Sequence, residues 1–339
     1  MKNKLVCCFS AIASLVLLAT CKQKLPEKTE YVLGTICTIN LFDQGTEALY
    51  TETFNRLKKL ETILSANRDD TNIAAINSAA GIGPVHAEPE TLSILQDALA
   101  YSEKTDGLFD PSIGPLVKSW NIGTDYAAIP TENALRSAMS LVNYRNIVID
   151  ESNGTVFLTQ KGMKLDLGAI AKGYAADEIA RILKAHNIKK AIIDLGGNIY
   201  AVGEKAPGQD WNIGIRDPET ERGEPILSIP LKDTSVVTSG IYERYFEKDG
   251  KKYHHILDPR TGYPVNNELL SVTIIAPASM DADALSTSTF LLGTEKGLAL
   301  IEKIPGVEAI FINKEHEIRT SQGMKGKMKI LDSRFTMKD

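Results

Sequence analysis

A carboxylate and two hydroxyls are spaced to share one face of a helix near residue 285. Asp283, Ser286 and Thr287 stand at positions i, i+3 and i+4, which lie side by side on a helix surface. Such hard oxygen ligands suit Mg²⁺, which completes its shell with water and substrate phosphates. Helix capping by Ser279, with Asp281 in the first turn, is the alternative, but it does not account for this face. The segment therefore predicts a Mg²⁺ site.

A second segment is typical of phosphate binding. A strand ends in Asp166, a glycine turn follows, and Lys172 opens a predicted helix over 172–186. Backbone N–H groups at a helix start and a nearby lysine both favour a bound phosphate, although the Walker spacing is absent. Residues 194–198 repeat the pattern of strand, acid and glycine, and they are a candidate second loop against the ligand. For both loops a purely structural turn is the alternative.

Two adjacent histidines precede a turn rich in proline and glycine. In a strand over 252–257, neighbouring side chains point to opposite faces, so one histidine can face a cleft. The turn Asp-Pro-Arg-Thr-Gly explains Asp258 and Thr261 by local hydrogen bonds, but it does not explain His255. An unperturbed imidazole, with a pKa of about 6.5, can act as a general base near neutral pH.

The loop 107–117 is restricted by glycine and proline and carries Phe109 and Asp110 at its centre. Taken alone, the segment favours a structural interpretation in which Phe109 fills the core and Asp110 caps the following turn. Together the four segments supply a metal site, a phosphate cradle and a histidine, which are the parts needed to break a phosphoanhydride.

The N-terminus has the pattern of an exported lipoprotein. Two lysines precede an apolar run over 5–18, which is too short for a membrane span and is typical of a secretory signal. The run ends in Leu-Leu-Ala-Thr-Cys, which resembles a lipobox with threonine before Cys21. We therefore predict a signal peptide over 1–20, a lipidated cysteine and flexible tether over 21–30, and a folded body over 31–339. Plain signal cleavage is the alternative.

The net charge argues against one class of function, and the cysteine count argues against an intrachain disulfide. The net charge is −5 and becomes −7 when residues 1–20, with two lysines and no acid, are removed. An acidic body argues against a nucleic-acid surface, which needs a basic face. Cys37 is the single thiol after Cys21, so no intrachain disulfide is expected in the body.

Hydrophobic periodicity predicts an α+β fold. The pattern indicates a strand over 31–42 and helices over 46–64, from Pro89 onward and over 172–186. Further short β-rich runs are joined by turns that favour hairpins. These runs lie at 146–149, 155–159, 190–195, 198–203, 211–216, 226–231, 235–238, 252–257, 270–276 and 307–313.

Several of these segments, in order from about 33 to 312, resemble the ApbE family of FAD:protein FMN transferases. The matching motifs are Asp-Pro-x-x-Gly-Pro-Leu-Val at 110–117, Leu-Asp-Leu-Gly-x-Ile-Ala-Lys-Gly at 165–173, His-Ile-Leu-Asp-Pro-Arg-Thr-Gly at 255–262 and Ala-Asp-Ala-Leu-Ser-Thr at 282–287. Segments 212–218 and 237–244 are similar to the family as well. The resemblance implies an α+β body with antiparallel sheets and flanking helices, and FAD bound in a cleft between two parts.

The resemblance also implies roles for individual residues. Contacts to the flavin nucleotide would come from Leu33, Leu108, Phe109, Asp110, Asp166, Lys172 and Leu257. Mg²⁺ would be held by Asp283 and Thr287, with Ser286 nearby and a backbone carbonyl near Ala169. His255 would be the general base, and Lys172 would hold the phosphates for attack. The family often carries a tyrosine after the first helix, where this chain has Asn67, which cannot stack on the flavin ring.

The implied reaction is Mg²⁺-dependent transfer of FMN from FAD to a threonine of exported redox proteins, with release of AMP. An FAD pyrophosphatase that hydrolyses FAD to FMN and AMP is one alternative, and both activities can belong to one enzyme. A flavin-binding lipoprotein without catalysis is another, but storage requires no metal. The expected location is a periplasm-facing membrane, through the lipid on Cys21.

Overall fold

The computed structural model describes residues 25–220 and 224–338. Its strands are β1 (Lys28–Val32), β2 (Thr35–Leu41), β3 (Val85–His86), β4 (Ile147–Asp150), β5 (Thr155–Leu158), β6 (Ala191–Leu195), β7 (Asn198–Val202), β8 (Trp211–Arg216), β9 (Pro225–Leu231), β10 (Thr234–Gly240), β11 (Tyr245–Lys248), β12 (Lys251–His254), β13 (Leu269–Ala276), β14 (Glu308–Asn313), β15 (Glu317–Thr320), β16 (Lys329–Ile330) and β17 (Thr336–Met337). Its helices are α1 (Glu47–Leu64), α2 (Asn72–Ser78), α3 (Pro89–Lys104), α4 (Gly114–Trp120), α5 (Glu132–Met139), α6 (Ala171–Ala185), α7 (Ser279–Leu292) and α8 (Thr294–Ile301). Short 3₁₀ turns lie at Tyr144–Asn146 and Gln322–Met324.

A nine-stranded sheet in the order β1-β2-β6-β7-β10-β13-β14-β15-β17 organises the chain. All its neighbouring strands are antiparallel except β15 and β17. Smaller sheets are formed by β16-β9-β8, by β3-β5-β4 and by the hairpin β11-β12. Helices combined with mostly antiparallel sheets confirm the predicted α+β class.

Both faces of the large sheet are covered. Every residue of β13 is buried, and its side chains divide between two cores because successive residues of a strand face opposite sides. Val272 and Ile274 pack with helices α1, α3, α6 and α7 in the larger core. Ile275 packs on the other side, against residues of β8 and β9 such as Trp211 and Leu227. The helix-bearing face is the one from which α6 and α7 contribute to the site.

The first predicted strand is a hairpin instead. The expected strand over 31–42 is wrong because Leu33 and Gly34 form a tight turn between β1 and β2, with φ values of 56° and 68°. Positive φ at both central residues is the turn geometry that matches strand twist, but leucine at the first position gives no sequence signal for it. Strand β1 already begins at Lys28, so the folded body starts inside the segment 21–30 expected as a tether.

The helices predicted from periodicity are present in the structure. Helix α1 follows Thr46, whose hydroxyl accepts from Leu49 N–H at 3.1 Å, and α3 begins at Pro89 as expected. Helix α6 is displaced by one residue from 172–186. The helix expected around 283–287 is α7, but the alternative in which Ser279 caps it is wrong: Ser279 is its first helical residue, and its hydroxyl donates to Asn198 Oδ1 at 2.6 Å.

Two further predictions concern the strand over 252–257 and the N-terminal segment. The strand predicted over 252–257 ends at His254, because Leu257 instead forms an isolated bridge with Pro264 across the following turn. The predicted signal peptide 1–20 and the anchor Cys21 lie outside the described residues. None of the helices within 25–220 and 224–338 is long and apolar enough to cross a membrane.

Candidate functional site

Helices α6 and α7 meet at the carboxylate of Asp283. Its Oδ1 accepts from Lys172 Nζ at 3.2 Å and its Oδ2 accepts from the backbone N–H of Gly173 at 2.9 Å. The carboxylate is almost fully buried, whereas a quarter of the lysine side chain is exposed. A carboxylate offers about four acceptor positions, so Asp283 keeps capacity for a further ligand.

The carbonyl of Ala169, two residues before α6 begins, accepts no hydrogen bond from the described residues. The first regular bond of α6 runs from Tyr174 N–H to Ile170 O. Gly173 N–H lies before that bond in the first turn, where N–H groups have no acceptor within their own helix, and it donates to Asp283 instead. The Ala169 oxygen therefore keeps its capacity to accept.

Asp283 and the hydroxyl groups of Ser239, Ser286 and Thr287 form an oxygen-rich corner. Ser239 Oγ, at the end of β10, lies 2.8 Å from Ser286 Oγ and 3.4 Å from Thr287 Oγ1. Ser286 is fully buried and donates to the carbonyl of Asp283 at 2.9 Å. The predicted set of Asp283, Ser286 and Thr287 therefore does share one helix face. Its chemistry fits Mg²⁺, which accepts one or two carboxylates with other oxygens.

The described residues hold no group of three or more His, Cys, Asp or Glu side chains arranged for a metal. A site with one carboxylate, one hydroxyl and one backbone carbonyl is not of that kind.

A cleft of about 630 Å³ opens beside this corner. Its lining consists of Gly123, Arg216, Tyr242, Glu243, Arg244 and Tyr245. The Arg216 guanidinium lies 4.9 Å from the centre of the Tyr242 ring, and Arg244 Nη2 donates to Gly34 O at 3.4 Å. The hairpin tip that contains Leu33 therefore borders the cleft.

Charges connect the cleft to both glycine loops. Burial raises the pKa of Asp166, while the Gly168 N–H and the positive charge of Arg244 lower it. In the same way, burial raises the pKa of Asp194, and the Gly197 N–H and Arg216 oppose the shift. Asp166, in the irregular segment before α6, and Asp194, within β6, are thus each within electrostatic reach of one arginine of the cleft.

Glu243 lines the cleft and is within electrostatic reach of Lys172 and Asp283. Loss of hydration raises the pKa of its carboxyl, the charge of Lys172 opposes this shift and that of Asp283 adds to it. Because the residue is exposed, solvent limits the shift. A raised carboxyl pKa in a cleft is typical of functional sites.

The adjacent histidines His254 and His255 differ in burial and in hydrogen bonding. His254 is buried, its Nδ1 accepts from Ile256 N–H at 3.3 Å, and its Nε2 lies 3.0 Å from Val265 O, so both ring nitrogens have partners. His255 is half-buried and its Nδ1 lies 3.3 Å from Arg244 O. A carbonyl can only accept, so Nδ1 of His255 carries the proton and Nε2 keeps a free lone pair.

The electrostatic environment keeps His255 neutral. Burial lowers its pKa to about 3, and the positive charge of Arg244 lowers it further. The imidazole is therefore neutral, with Nε2 unprotonated, throughout the neutral range, and the same shift reduces its basicity.

Four other residues predicted to contact the flavin nucleotide lie in a hydrophobic core or in a hydrogen-bonded turn. Leu108 and Phe109 are buried in the helix-side core, and Leu257 is buried beside Trp120. Asp110 accepts from Ser112 N–H, Ser112 Oγ and Tyr144 N–H, and burial raises its pKa against these bonds. These contacts agree with the structural interpretation of loop 107–117.

Asn67 is exposed after α1, and its described bond is from its N–H to Ser65 Oγ at 3.2 Å. Arg216, Ser239, Tyr242, Glu243 and Arg244 belong to the site, but the sequence patterns do not predict them. Their segments, 212–218 and 237–244, are similar to the family without indicating a role for these side chains. The available signal was the density of charged residues directly after strands β8 and β10.

Comparisons with known proteins give one consistent result. The ApbE family profile matches residues 33–311. Relatives named "FAD:protein FMN transferase" are 44% identical in Treponema pallidum, covering 91% of this chain and 90% of that protein, and 41% identical in Klebsiella pneumoniae, covering 91% and 95%.

Solved structures agree with this result. The ApbE protein of Thermotoga maritima has a TM-score of 0.81 at 33% identity, covering 89% of this chain and 98% of that one. The flavin transferase ApbE of Vibrio cholerae has a TM-score of 0.79 at 27% identity, covering 88% and 98%. The chain belongs to the ApbE family.

Proposed function

We propose that this protein is an FAD:protein FMN transferase that depends on Mg²⁺ and links FMN through a phosphoester to a threonine of its target. The observation that carries the proposal is the position of Asp283, bound between Lys172 and the first turn of α6 with hydroxyls on its own helix face. Full-length relatives that bear this name support the choice of substrate.

Asp283, Thr287 and the free carbonyl of Ala169 would hold the metal, with Ser286 in support through its bond to the Asp283 carbonyl. When bound, Mg²⁺ neutralises negative charge on the diphosphate and on the departing phosphate. Lys172 lies within reach of the same group and contributes a fixed positive charge to orient it.

The acceptor hydroxyl attacks the phosphorus on the FMN side of the diphosphate. A new oxygen–phosphorus bond forms, the bond to the bridging oxygen breaks, and AMP leaves with that oxygen. The hydroxyl proton passes to Nε2 of His255, which is neutral and whose Nδ1 proton is engaged by Arg244 O. Water at the acceptor position would give FMN and AMP instead.

We also propose where the enzyme is located and which proteins it modifies. A signal peptide over 1–20 and a lipid on Cys21 would export the enzyme and anchor it at a periplasm-facing membrane. Exported redox proteins with a threonine acceptor segment are then within reach.

The test uses the chain from Lys22 onward with FAD, Mg²⁺ and a threonine peptide containing the acceptor motif Asp-Gly-x-Thr-Gly-Ala-Thr. Mass spectrometry should find FMN on the threonine, with equimolar AMP and no reaction in EDTA. AMP and free FMN without an adduct would identify a pyrophosphatase. An absence of turnover with Mg²⁺ present would contradict both activities.

A further inference from the structure

Helix α7 carries the metal-ligand candidates but has no cap of its own. The residue at its cap position is Ala278, whose side chain offers no acceptor. The first N–H groups of a helix need acceptors from outside the helix. In α7 they are supplied by α6: Asp177 Oδ1 accepts from Ser279 N–H at 2.8 Å, and Oδ2 accepts from Met280 N–H at 2.9 Å.

The Asp177 cap is one of two places at which α6 bonds to α7; at the other, Lys172 and Gly173 donate to Asp283. Gly173 and Asp177 are one turn apart on α6, and they bind Asp283 and the Ser279–Met280 pair, which are one turn apart on α7. The backbones touch between them, because a Cβ on Gly173 would lie 2.3 Å from Ser279 O. Two attachment points one turn apart fix both the rotation and the axial position of α7 against α6.

We infer that Asp177 is a positioning residue, whose carboxylate holds α7 in the register that brings Asp283 and Thr287 together with Ala169 O and Lys172. The inference deepens the proposed function and rests on its metal site. Asp177 itself contacts neither the metal ligands nor the cleft. Its effect passes through the first turn of α7, where it binds the N–H groups four and three residues before Asp283.

The other contacts of that turn make Asp177 the principal restraint along the helix axis. Ser279 Oγ bonds laterally to Asn198 and Ser235, and Tyr101 OH donates to Asp281 at 2.6 Å. These three contacts involve side chains of α7. Asp177 alone binds the backbone N–H groups at the start, and its charge favours the positive end of the helix.

The experiment compares Asp177→Ala and Asp177→Asn with Glu178→Gln in the full chain. Glu178 is the next acid on α6, and it pairs with Arg56 and Arg181 rather than with α7. Two quantities are measured: the Mg²⁺ concentration for half-maximal AMP release from FAD, and the Mg²⁺-dependent rise in unfolding temperature without substrate.

Loss of a helix cap predicts that Asp177→Ala raises the half-maximal Mg²⁺ concentration about tenfold, with the rate at saturating Mg²⁺ within about twofold of the original. Asp177→Asn keeps a neutral acceptor and should show a smaller rise, about threefold. Glu178→Gln should leave the Mg²⁺ requirement unchanged. Amide hydrogen exchange of 279–283 should accelerate in Asp177→Ala and remain slow in the control.

An unchanged Mg²⁺ requirement in folded Asp177→Ala would overturn the inference, as would an equal rise in Glu178→Gln. If Asp177→Ala does not fold, Asp177→Asn provides the same comparison. A chain without FAD turnover would contradict the proposed function, but the thermal shift with Mg²⁺ and the exchange rates would still decide the role of Asp177.

Discussion

The backbone N–H of Gly173, in the first turn of α6, donates to Asp283 Oδ2 on α7 at 2.9 Å. An N–H at this position has no acceptor within its own helix, so a buried carboxylate of one helix satisfies the start of the other. Ala169, which precedes α6, keeps a carbonyl that accepts no hydrogen bond from the described residues. The bond between Gly173 and Asp283 also requires that the helices approach closely at this glycine.

Replacing Gly173 with alanine should therefore destabilise the protein. The added Cβ would lie 2.3 Å from Ser279 O and 2.6 Å from Met280 Cα, and backbone atoms cannot move aside as a flexible side chain can. We expect a loss of about 1–3 kcal/mol in the free energy of unfolding, measured by urea denaturation. Gly83→Ala is the matched control, because nothing lies within 4 Å of its added Cβ. An equal loss in both variants would contradict the close-approach argument.

Asp283→Asn should abolish Mg²⁺-dependent turnover while preserving side-chain size. The amide is a weaker metal ligand and cannot form the ion pair with Lys172, so AMP release at fixed Mg²⁺ should fall at least about a hundredfold. Asp281→Asn is the comparison: this acid is on the same helix but bonds to Tyr101 OH, and at least half of the activity should remain. Near-normal turnover in Asp283→Asn would place the metal elsewhere.

The sequence predicts the local features of the site, but it does not predict how the fold brings those features into contact. The i, i+3, i+4 spacing from Asp283 and the glycine turn into a helix around Lys172 are short-range properties, and both are present in the structure. The strand predicted to end at Asp166 is wrong: residues 165–167 have no regular secondary structure, and Lys164 forms only an isolated bridge with Ile113. The bond from Gly173 to Asp283 spans 110 residues. It depends on the register of two packed helices, which no local pattern specifies.

The errors in the fold have similar causes. A Leu-Gly turn with two positive φ values interrupts an otherwise continuous strand pattern, because apolar alternation continues through Leu33. Ser279 has the residue type of an N-cap, but Asn198 competes for its hydroxyl and Asp177 takes over the capping. In both places a tertiary contact decides between local alternatives of similar energy.

The stability of the protein should decrease on acidification partly through His254. Burial lowers its pKa to about 4, below the value of about 6.5 in an unfolded chain. Between these values the unfolded state binds the proton and the native state does not, so stability present above pH 6.5 is lost as the pH falls. From pH 7 to pH 5 the contribution is about 2 kcal/mol.

Urea denaturation of the wild type and His254→Gln at both pH values measures this contribution. The variant should lose about 2 kcal/mol less than the wild type between pH 7 and pH 5. Between pH 7.5 and pH 9 the difference between the two proteins should stay constant, because both states then hold the imidazole mostly neutral. Parallel curves over the acid range would show that His254 is protonated equally in both states.

His255→Ala should slow FMN transfer without weakening FAD binding. The imidazole is proposed to accept the proton of the attacking hydroxyl, so its removal should lower the rate about 10²–10⁴-fold. Flavin fluorescence titration should give a dissociation constant within about twofold of the wild type, since loss of a proton acceptor acts on the transition state. Equal losses of rate and of affinity would identify His255 as a binding residue instead.

Asn67→Tyr should increase FAD affinity and reduce the hydrolysis of FAD relative to transfer. Asn67 is exposed directly after α1, so a ring can be accommodated there without displacing the core. Stacking of aromatic rings contributes about 1 kcal/mol, which corresponds to about a fivefold lower dissociation constant for FAD. Fluorescence titration gives the affinity, and the ratio of free FMN to FMN-peptide gives the partition between water and threonine.

Asn67→Ala separates the effect of the ring from the loss of the amide. It should leave FAD affinity and the hydrolysis ratio close to those of the wild type, because the described bond at this position comes from the backbone N–H and is retained. Unchanged affinity and an unchanged ratio in Asn67→Tyr would mean that the flavin ring lies beyond the reach of residue 67. Flavin retention would then depend on the hairpin tip at Leu33 and on the arginine-lined cleft beside it.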